Sequence, residues 1–344
     1  MLTRRKAVER SEGVWHAAWR RYRTDRVGVA SLLIVVFFLV LILGSALGLV
    51  AKGWQKEVGV PNARPTFVGG KPAEVATAIE APKGPSVDLS AIDPLAPRYA
   101  EWDERAAKFK TEEAPRSQTL PFGGDRLGRD VLSKAIKGTE VSVFVGVLAA
   151  ILATGIGTLL GALSGYFGRR VGDVLEWLYN VFESIPGILL IFAFAAIFGR
   201  GIQTVVLILG LTGWTGMYRQ VRSEFIKHAS REYVRSAEAI GASNWSRMFS
   251  HILPNISHVI LVRMSLLTVG FIKAEVILSY LGLGVPIDQV SWGTMLAEAQ
   301  SELILGHWWQ LGAATLFMAV FVTAFSLMTD ALRDALDPKL RGLE

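Results

Sequence analysis

The sequence predicts an all-α membrane protein with six transmembrane helices and both termini in the cytoplasm. Hydrophobic residues make up 51% of the 344 positions, more apolar surface than a soluble core of this size would hide. Residues 27–51 contain no charged side chain over 25 positions, about 37 Å of helix at ~1.5 Å per residue, against a hydrocarbon layer of about 30 Å. Lysine and arginine gather in alternate loops, the pattern that short cytoplasmic loops impose on a multi-span chain.

Residues 1–26 read as a basic cytoplasmic leader, with eight lysines and arginines between positions 4 and 26. Residues 27–51 form the first transmembrane helix. A cleaved signal peptide would show an apolar region of only about 7–15 residues, so this segment reads as an anchor. Residues 52–138 follow as a long periplasmic loop holding nine of the thirteen prolines. Its first half, with Pro61, Pro65, Pro72, Pro82 and Pro85, reads as irregular or extended chain. Residues 139–334 make a five-helix core with spans at 141–167, 177–198, 201–218, 256–283 and 308–329, and 335–344 form a cytoplasmic tail. The span from 256 has the weakest signal, because it carries Arg263, Lys273 and Glu275.

Charge sidedness supports this count independently. Arg169 and Arg170 join the second and third spans, and the loop 219–253 carries six arginines and lysines from Arg219 to Arg247. Between Gly284 and Gln310 there is none. An odd number of spans would set Arg333, Lys339 and Arg341 outside, against the positive-inside rule. The formal charge of +6 is therefore topological, and nucleic-acid binding is unnecessary to explain it.

Gly157, Gly161 and Gly165 repeat at four-residue spacing and give the second span one face of small residues for close helix packing. Pro186 predicts a kink in the third span, with the acids Glu176 and Glu183 at or inside it. In the loop 219–253, Ala237, Gly241 and Ala242 fall at helical spacing, which predicts a helix with a small-residue face able to lie against another protein. The alternative is an amphipathic linker lying in the membrane surface. Leu253 and Pro254 close the segment, Pro254 suiting the start of the next helix.

The stretch 233–255, YVRSAEAIGASNWSRMFSHILPN, resembles the cytoplasmic loop of bacterial binding-protein-dependent ABC permeases. Ala237, Gly241, Leu253 and Pro254 keep the family's spacing, while Arg235 replaces its glutamate, Ser236 its first alanine and His251 its usual isoleucine. The HILPN ending is similar to the peptide branch. PFGGDRLGRDVLS from Pro121 resembles the segment before the second span of C-type dipeptide and oligopeptide permeases, and EVILSYLGLG from Glu275, with Ser291, Trp292 and Gly293, resembles the end of their fifth span. FIKAE, VPIDQVSWGTML and EAQSELILG look most like the Yej-type peptide importers.

That resemblance implies a type I importer permease fold in the bacterial inner membrane, importing small peptides. It implies as partners a second, B-type permease, two ABC ATPase subunits or one fused pair, and a periplasmic peptide-binding protein. ATP and Mg would sit on the ATPases, with no cofactor on this chain. It also implies that Ala237, Ala239, Gly241, Ala242, Leu253 and Pro254 couple to the ATPases, and it nominates Asp125, Gly128, Arg129, Asp130, Glu275, Ser279, Trp292 and Gly293 for gating or assembly. Related permeases carry nickel, opines or glycosides, which are the alternative substrates.

Competing chemistries find little in the residues. Gly123 and Gly128 frame a near match to a phosphate-binding loop, but Arg129 and Asp130 stand where Lys and Ser or Thr are required. The chain has no cysteine, and its five histidines lack ligand spacing. An intramembrane enzyme would need paired catalytic groups, yet Lys273 and Glu275 stand two apart and so on different helix faces. A simple channel would not need a cytosolic docking segment.

Overall fold

In the computed structural model, residues 14–69, 93–108, 116–286 and 288–336 are described. The expectations for the first part of the leader, for Pro72, Pro82 and Pro85, and for Lys339 and Arg341 lie outside the described residues. The chain divides into two compact units, Met1–Trp54 with Leu132–Glu344, and Gln55–Val131.

In the larger unit, α1 (Val14–Thr24) leads into α2 (Arg26–Ala46). The Asp25 carboxylate accepts a hydrogen bond from the Val27 N–H at 2.9 Å and so caps the otherwise unpaired first turn of α2. Leu33, Phe37, Val40 and Leu43 on α2 are 60–65% exposed, an apolar surface suited to lipid.

The smaller unit holds β1 (Gly59–Pro65), α3 (Tyr99–Lys108) and β2 (Ser117–Leu120). The strands pair in parallel, Gly59 with Ser117 and Pro65 with Leu120. This corrects the all-α expectation, while β1 around Pro61 and Pro65 is extended chain, one of the two readings of this stretch. Prolines at 61 and 65 hide the strand from propensity, since Pro is tolerated only at a sheet edge, and a two-stranded sheet is all edge. Asn62, at φ 55°, marks the irregularity in pairing between Gly59 and Arg64.

The remaining helices belong to the larger unit: α4 (Val131–Phe167), α5 (Arg169–Glu183), α6 (Gly187–Phe198), α7 (Ile202–Thr212), α8 (Thr215–Ala229), α9 (Glu232–Ala239), α10 (Asn244–Ser246), α11 (Leu253–Tyr280), α12 (Trp292–Ile304) and α13 (Trp309–Leu336). A π-helical stretch, Arg247–Ile252, joins α10 to α11. Among the described residues, α2, α4 and α13 are each long and apolar enough to cross a membrane, and α5 with α6 form a pair bent by 83°. The third expected span is therefore broken, not kinked, because Pro186 offers no N–H to continue the ladder of backbone bonds. The fourth is broken too, between α7 and α8, where the Phe271 ring packs directly on Gly213. Helix α11 has the length of a span, 28 residues, with the three charges that weaken its hydropathy.

Phe38, Val143, Ile272, Trp292 and Phe321 bring α2, α4, α11, α12 and α13 into one buried cluster. A second cluster joins Ala162 of α4 to Met217, Val221 and Phe225 of α8, Val234 of α9, and Met248 and Ile252. The glycine stripe makes that second junction possible. A Cβ at Gly157, Gly161 or Gly165 would lie 2.7, 2.7 or 2.6 Å from the carbonyl oxygens of Trp214, Tyr218 and Arg222. On α8, α4 meets backbone carbonyls together with the Cβ atoms of Met217, Val221 and Phe225.

Gly161→Val should therefore destabilise the fold by about 1–3 kcal/mol through overpacking against backbone that cannot move aside. Gly155→Ala, where a Cβ meets nothing within 4 Å, should leave stability unchanged or slightly raised. Thermal melting of the two purified variants checks the contrast, and equal melting would refute the contact.

Candidate functional site

The loop 219–253 is a built corner. Helix α9 ends at Ala239, Gly241 takes φ 86°, the Gly241 N–H donates to the Glu238 carbonyl and the Ala242 N–H to the Ala237 carbonyl, both at 2.9 Å. This is a Schellman ending, in which the left-handed position favours glycine because a Cβ is penalised there. Ser243 then caps the next helix, its hydroxyl accepting from the Ser246 N–H at 3.2 Å. The expected small-residue face does not form. Gly241 and Ala242 lie beyond the helix, and Ala237 is buried at 4% exposure, covered by its own chain. Ala239 is exposed.

What projects instead is Ile240, 86% exposed, with Trp245 at 56%. Sequence reasoning missed both. Trp245 stacks on Phe249 with ring centroids 5.4 Å apart. Arg247 spans the corner to Glu238 at 2.8 Å, and Tyr166 at the end of α4 donates to Asn244 at 3.1 Å. On the other side, His228 at the end of α8 hydrogen-bonds the Tyr233 hydroxyl at 2.7 Å. Burial pushes the His228 imidazole below the usual histidine range, even with Glu224 near it, so the neutral ring is the form present at pH 7. Leu253 is half-buried, and Pro254 is exposed in the first turn of α11. The corner is thus fixed to α4, α8 and α11 at once.

Glu275, Ser279, Trp292 and Gly293 come together. The Glu275 side chain is fully buried, with the hydroxyls of Ser142, Ser279 and Ser291 around its carboxyl. Ser279 donates to it at 2.7 Å and accepts from the Val285 N–H at 3.0 Å. Ser142 accepts from the Trp292 N–H at 3.2 Å, and Ser291 caps α12. A Cβ on Gly293 would meet the Val276 carbonyl oxygen at 2.6 Å, so α12 starts in contact with the α11 backbone. One carboxyl and three hydroxyls therefore join α4, α11 and α12.

Asp125, Gly128, Arg129 and Asp130 form a separate group in the smaller unit. The Asp125 carboxylate accepts from the N–H groups of Leu127 and Arg129 at 2.9 Å each and pairs with the Arg129 guanidinium at 2.6 Å. Its own backbone carbonyl takes the Asn62 N–H at 2.8 Å, and the Gly128 carbonyl takes that of Gly59 at 2.9 Å. Gly128, at φ 79°, lies so close to the Gly59 carbonyl that no side chain fits. Asp130 bridges back to Gly124. These bonds clasp β1; no phosphate cradle is present in them.

A further buried cluster had no sequence signal. Lys134, 1% exposed, pairs with Glu298 at 2.5 Å and donates to the Gln310 side chain at 3.2 Å. Gln310 in turn donates to the Met295 carbonyl at 3.1 Å. The partners lie 164 and 176 residues from the lysine, a separation at which no local pattern operates. Among the described residues, no group of three or more His, Cys, Asp or Glu is placed to hold a metal ion.

Comparison with known proteins extends the geometry. Residues 157–342 match the family described as binding-protein-dependent transport system inner membrane component. The oligopeptide transport system permease protein OppC of Bacillus subtilis is 35% identical over 247 residues, 72% of this chain and 81% of that protein. The dipeptide transport system permease protein DppC of the same organism is 36% identical over 230 residues, 67% and 72% of the two chains. DppC of Lactococcus lactis is 27% identical over 322 residues, 94% and 90% of the two. The matched region holds both the corner at Ile240 and the carboxyl site at Glu275, and on that match the chain belongs to the inner-membrane components of binding-protein-dependent transport systems.

Proposed function

We propose that this chain is the C-type transmembrane subunit of an ATP-driven importer of small peptides, and that the corner at Ile240 is where ATPase motion enters it. The exposure of Ile240 on a turn fixed to three helices carries the proposal. A large aliphatic side chain in water stabilises nothing in its own chain, whereas in a pocket of a partner it contributes roughly 1.5–3 kcal/mol. Because the corner is anchored to α4, α8 and α11, a partner that displaces it tilts those helices together, as a rigid-body switch requires. The peptide substrate follows from the relatives, which are named as oligopeptide and dipeptide permeases.

The partners in this reading are a B-type permease, two ATPase subunits or a fused pair holding ATP and Mg, and a peptide-binding protein outside. This chain is a transport subunit and not an enzyme. Six crossings with both termini cytoplasmic support alternating access in the bacterial inner membrane, with the bent pair α5 and α6 rising and α7 and α8 returning. In favour of that count, the Gly201 N–H before α7 bonds the Gly284 carbonyl just after α11 at 3.2 Å. The turn at Arg200 therefore stands level with the far end of α11. Glu275, enclosed by its own chain, serves assembly of α4, α11 and α12 in preference to contact with peptide.

Ile240→Glu should leave membrane insertion at its normal level while ATPase co-purification and peptide-stimulated ATP hydrolysis in lipid both fall about tenfold or more, the loss expected of a buried anchor at an interface. Undiminished coupling would remove the corner from the mechanism. Gly241→Val should act differently, lowering the melting temperature as well, because a β-branched residue is strained at that backbone angle.

Topology has its own test in a chain without cysteine. Arg200→Cys and Asp288→Cys should react with an impermeant thiol reagent in intact cells, and Arg170→Cys only after the membrane is opened. Labelling at position 170 in intact cells would exclude six crossings.

A further inference from the structure

Between α8, α11 and α13 lies a cavity of about 360 Å³. Its polar lining is Gln220, His258, Arg263 and Arg333, and no carboxylate is among its lining residues. The Arg263 guanidinium lies over Gly216 in the first turn of α8, 2.5 Å from where a Cβ there would stand. Its Nε is buried and has no hydrogen-bond partner among the described residues. The start of a helix carries positive partial charge, so α8 offers this cation no compensation. Two guanidinium groups lining one cavity with no carboxylate among its lining residues define a site short of an anion.

The depth of the cavity selects the kind of anion. Val262, beside Arg263, packs with Val29, Leu32 and Met328 around Ala331, close to Arg26, where α2 begins. The cavity therefore opens at the level where the first span enters the bilayer from the cytoplasm, one to two turns inside the boundary. Val262 and Leu266 supply an aliphatic wall beside the charges. A soluble anion would use the cations and leave that wall idle. A lipid uses both.

We propose that this cavity holds the headgroup of an anionic phospholipid from the cytoplasmic leaflet, its phosphate between Arg263 and Arg333 and its glycerol and first methylenes against Val262 and Leu266. Basic pockets between transmembrane helices at the cytoplasmic face suit such headgroups, and arginine forks match phosphate geometry. The inference rests on the topology proposed above for which leaflet supplies the lipid, but occupancy of the site does not depend on sidedness.

The test is native mass spectrometry of the full purified chain, stripped of lipid and titrated with phosphatidylglycerol, phosphatidylcholine or inorganic phosphate. Phosphatidylglycerol should be retained and phosphatidylcholine should not. Arg263→Gln with Arg333→Gln should weaken phosphatidylglycerol retention about 30-fold, from roughly fivefold for each charge. If that double variant does not fold, Arg333→Gln alone, in the last turn of α13, should weaken it about fivefold on the same basis. Unchanged retention in whichever variant folds overturns the proposal, and so does inorganic phosphate at millimolar concentration displacing the lipid, which would make this a soluble-anion site. Cysteine labelling at Arg170 reports separately on topology, so failure of that reading and failure of this one are distinguishable.

Discussion

Close backbone contact between α4 and α8 is the constraint on which the rest of the helical unit depends. Lipid tails are as apolar as leucine, so no hydrophobic force draws one helix to another in a bilayer, and contact area at short range must do it. Gly157, Gly161 and Gly165 let α4 reach the carbonyls of Trp214, Tyr218 and Arg222. That approach positions α8, and α8 in turn carries His228 to Tyr233 on α9 and presents Gly216 to Arg263. Both the corner at Ile240 and the basic cavity hang from the same three glycines.

Much of this was legible in the residues, and the failures have physical causes. The small-residue spacing in α4 read correctly because a helix face is a local property. The same logic failed at Gly241, where Ala237, Gly241 and Ala242 were joined into one face across a helix end. The stop and start signals were there to be read, a glycine followed within two residues by a capping serine, and they outrank spacing. Pro186 signalled an interruption, but the 83° bend between α5 and α6 is a matter of how the two halves pack, which one proline in the sequence does not encode. β1 was hidden by its prolines. Lys134 was invisible as a buried group, since a lysine is ordinarily exposed and its partners are remote in sequence.

The buried polar groups serve different ends. Around Glu275, the three hydroxyls each engage a further group at a helix start or loop, so the carboxyl fixes how α12 leaves α11. Lys134, Glu298 and Gln310 tie the beginning of α4 to α12 and α13 by a paired charge, an arrangement in which losing one member is costly because the other stays buried. The Arg263 Nε has no hydrogen-bond partner among the described residues. The contrast between a lysine satisfied by its own fold and an arginine that is not separates a structural group from a binding one.

The π-helical stretch ahead of Pro254 has a consequence for direction. Proline cannot donate to the carbonyl one turn back, and a wider turn absorbs that loss by housing one additional residue. One residue is about 100° of rotation around the helix axis. From 244 to 280 the chain is a single rod, about 55 Å long at ~1.5 Å per residue, with the corner at one end and the Glu275 site toward the other. The extra residue sets the angular phase between those ends. Were the turn to relax to ordinary α geometry, Trp245 and Ile240 would swing around the bundle by a quarter circle or more while α11 stayed where it is.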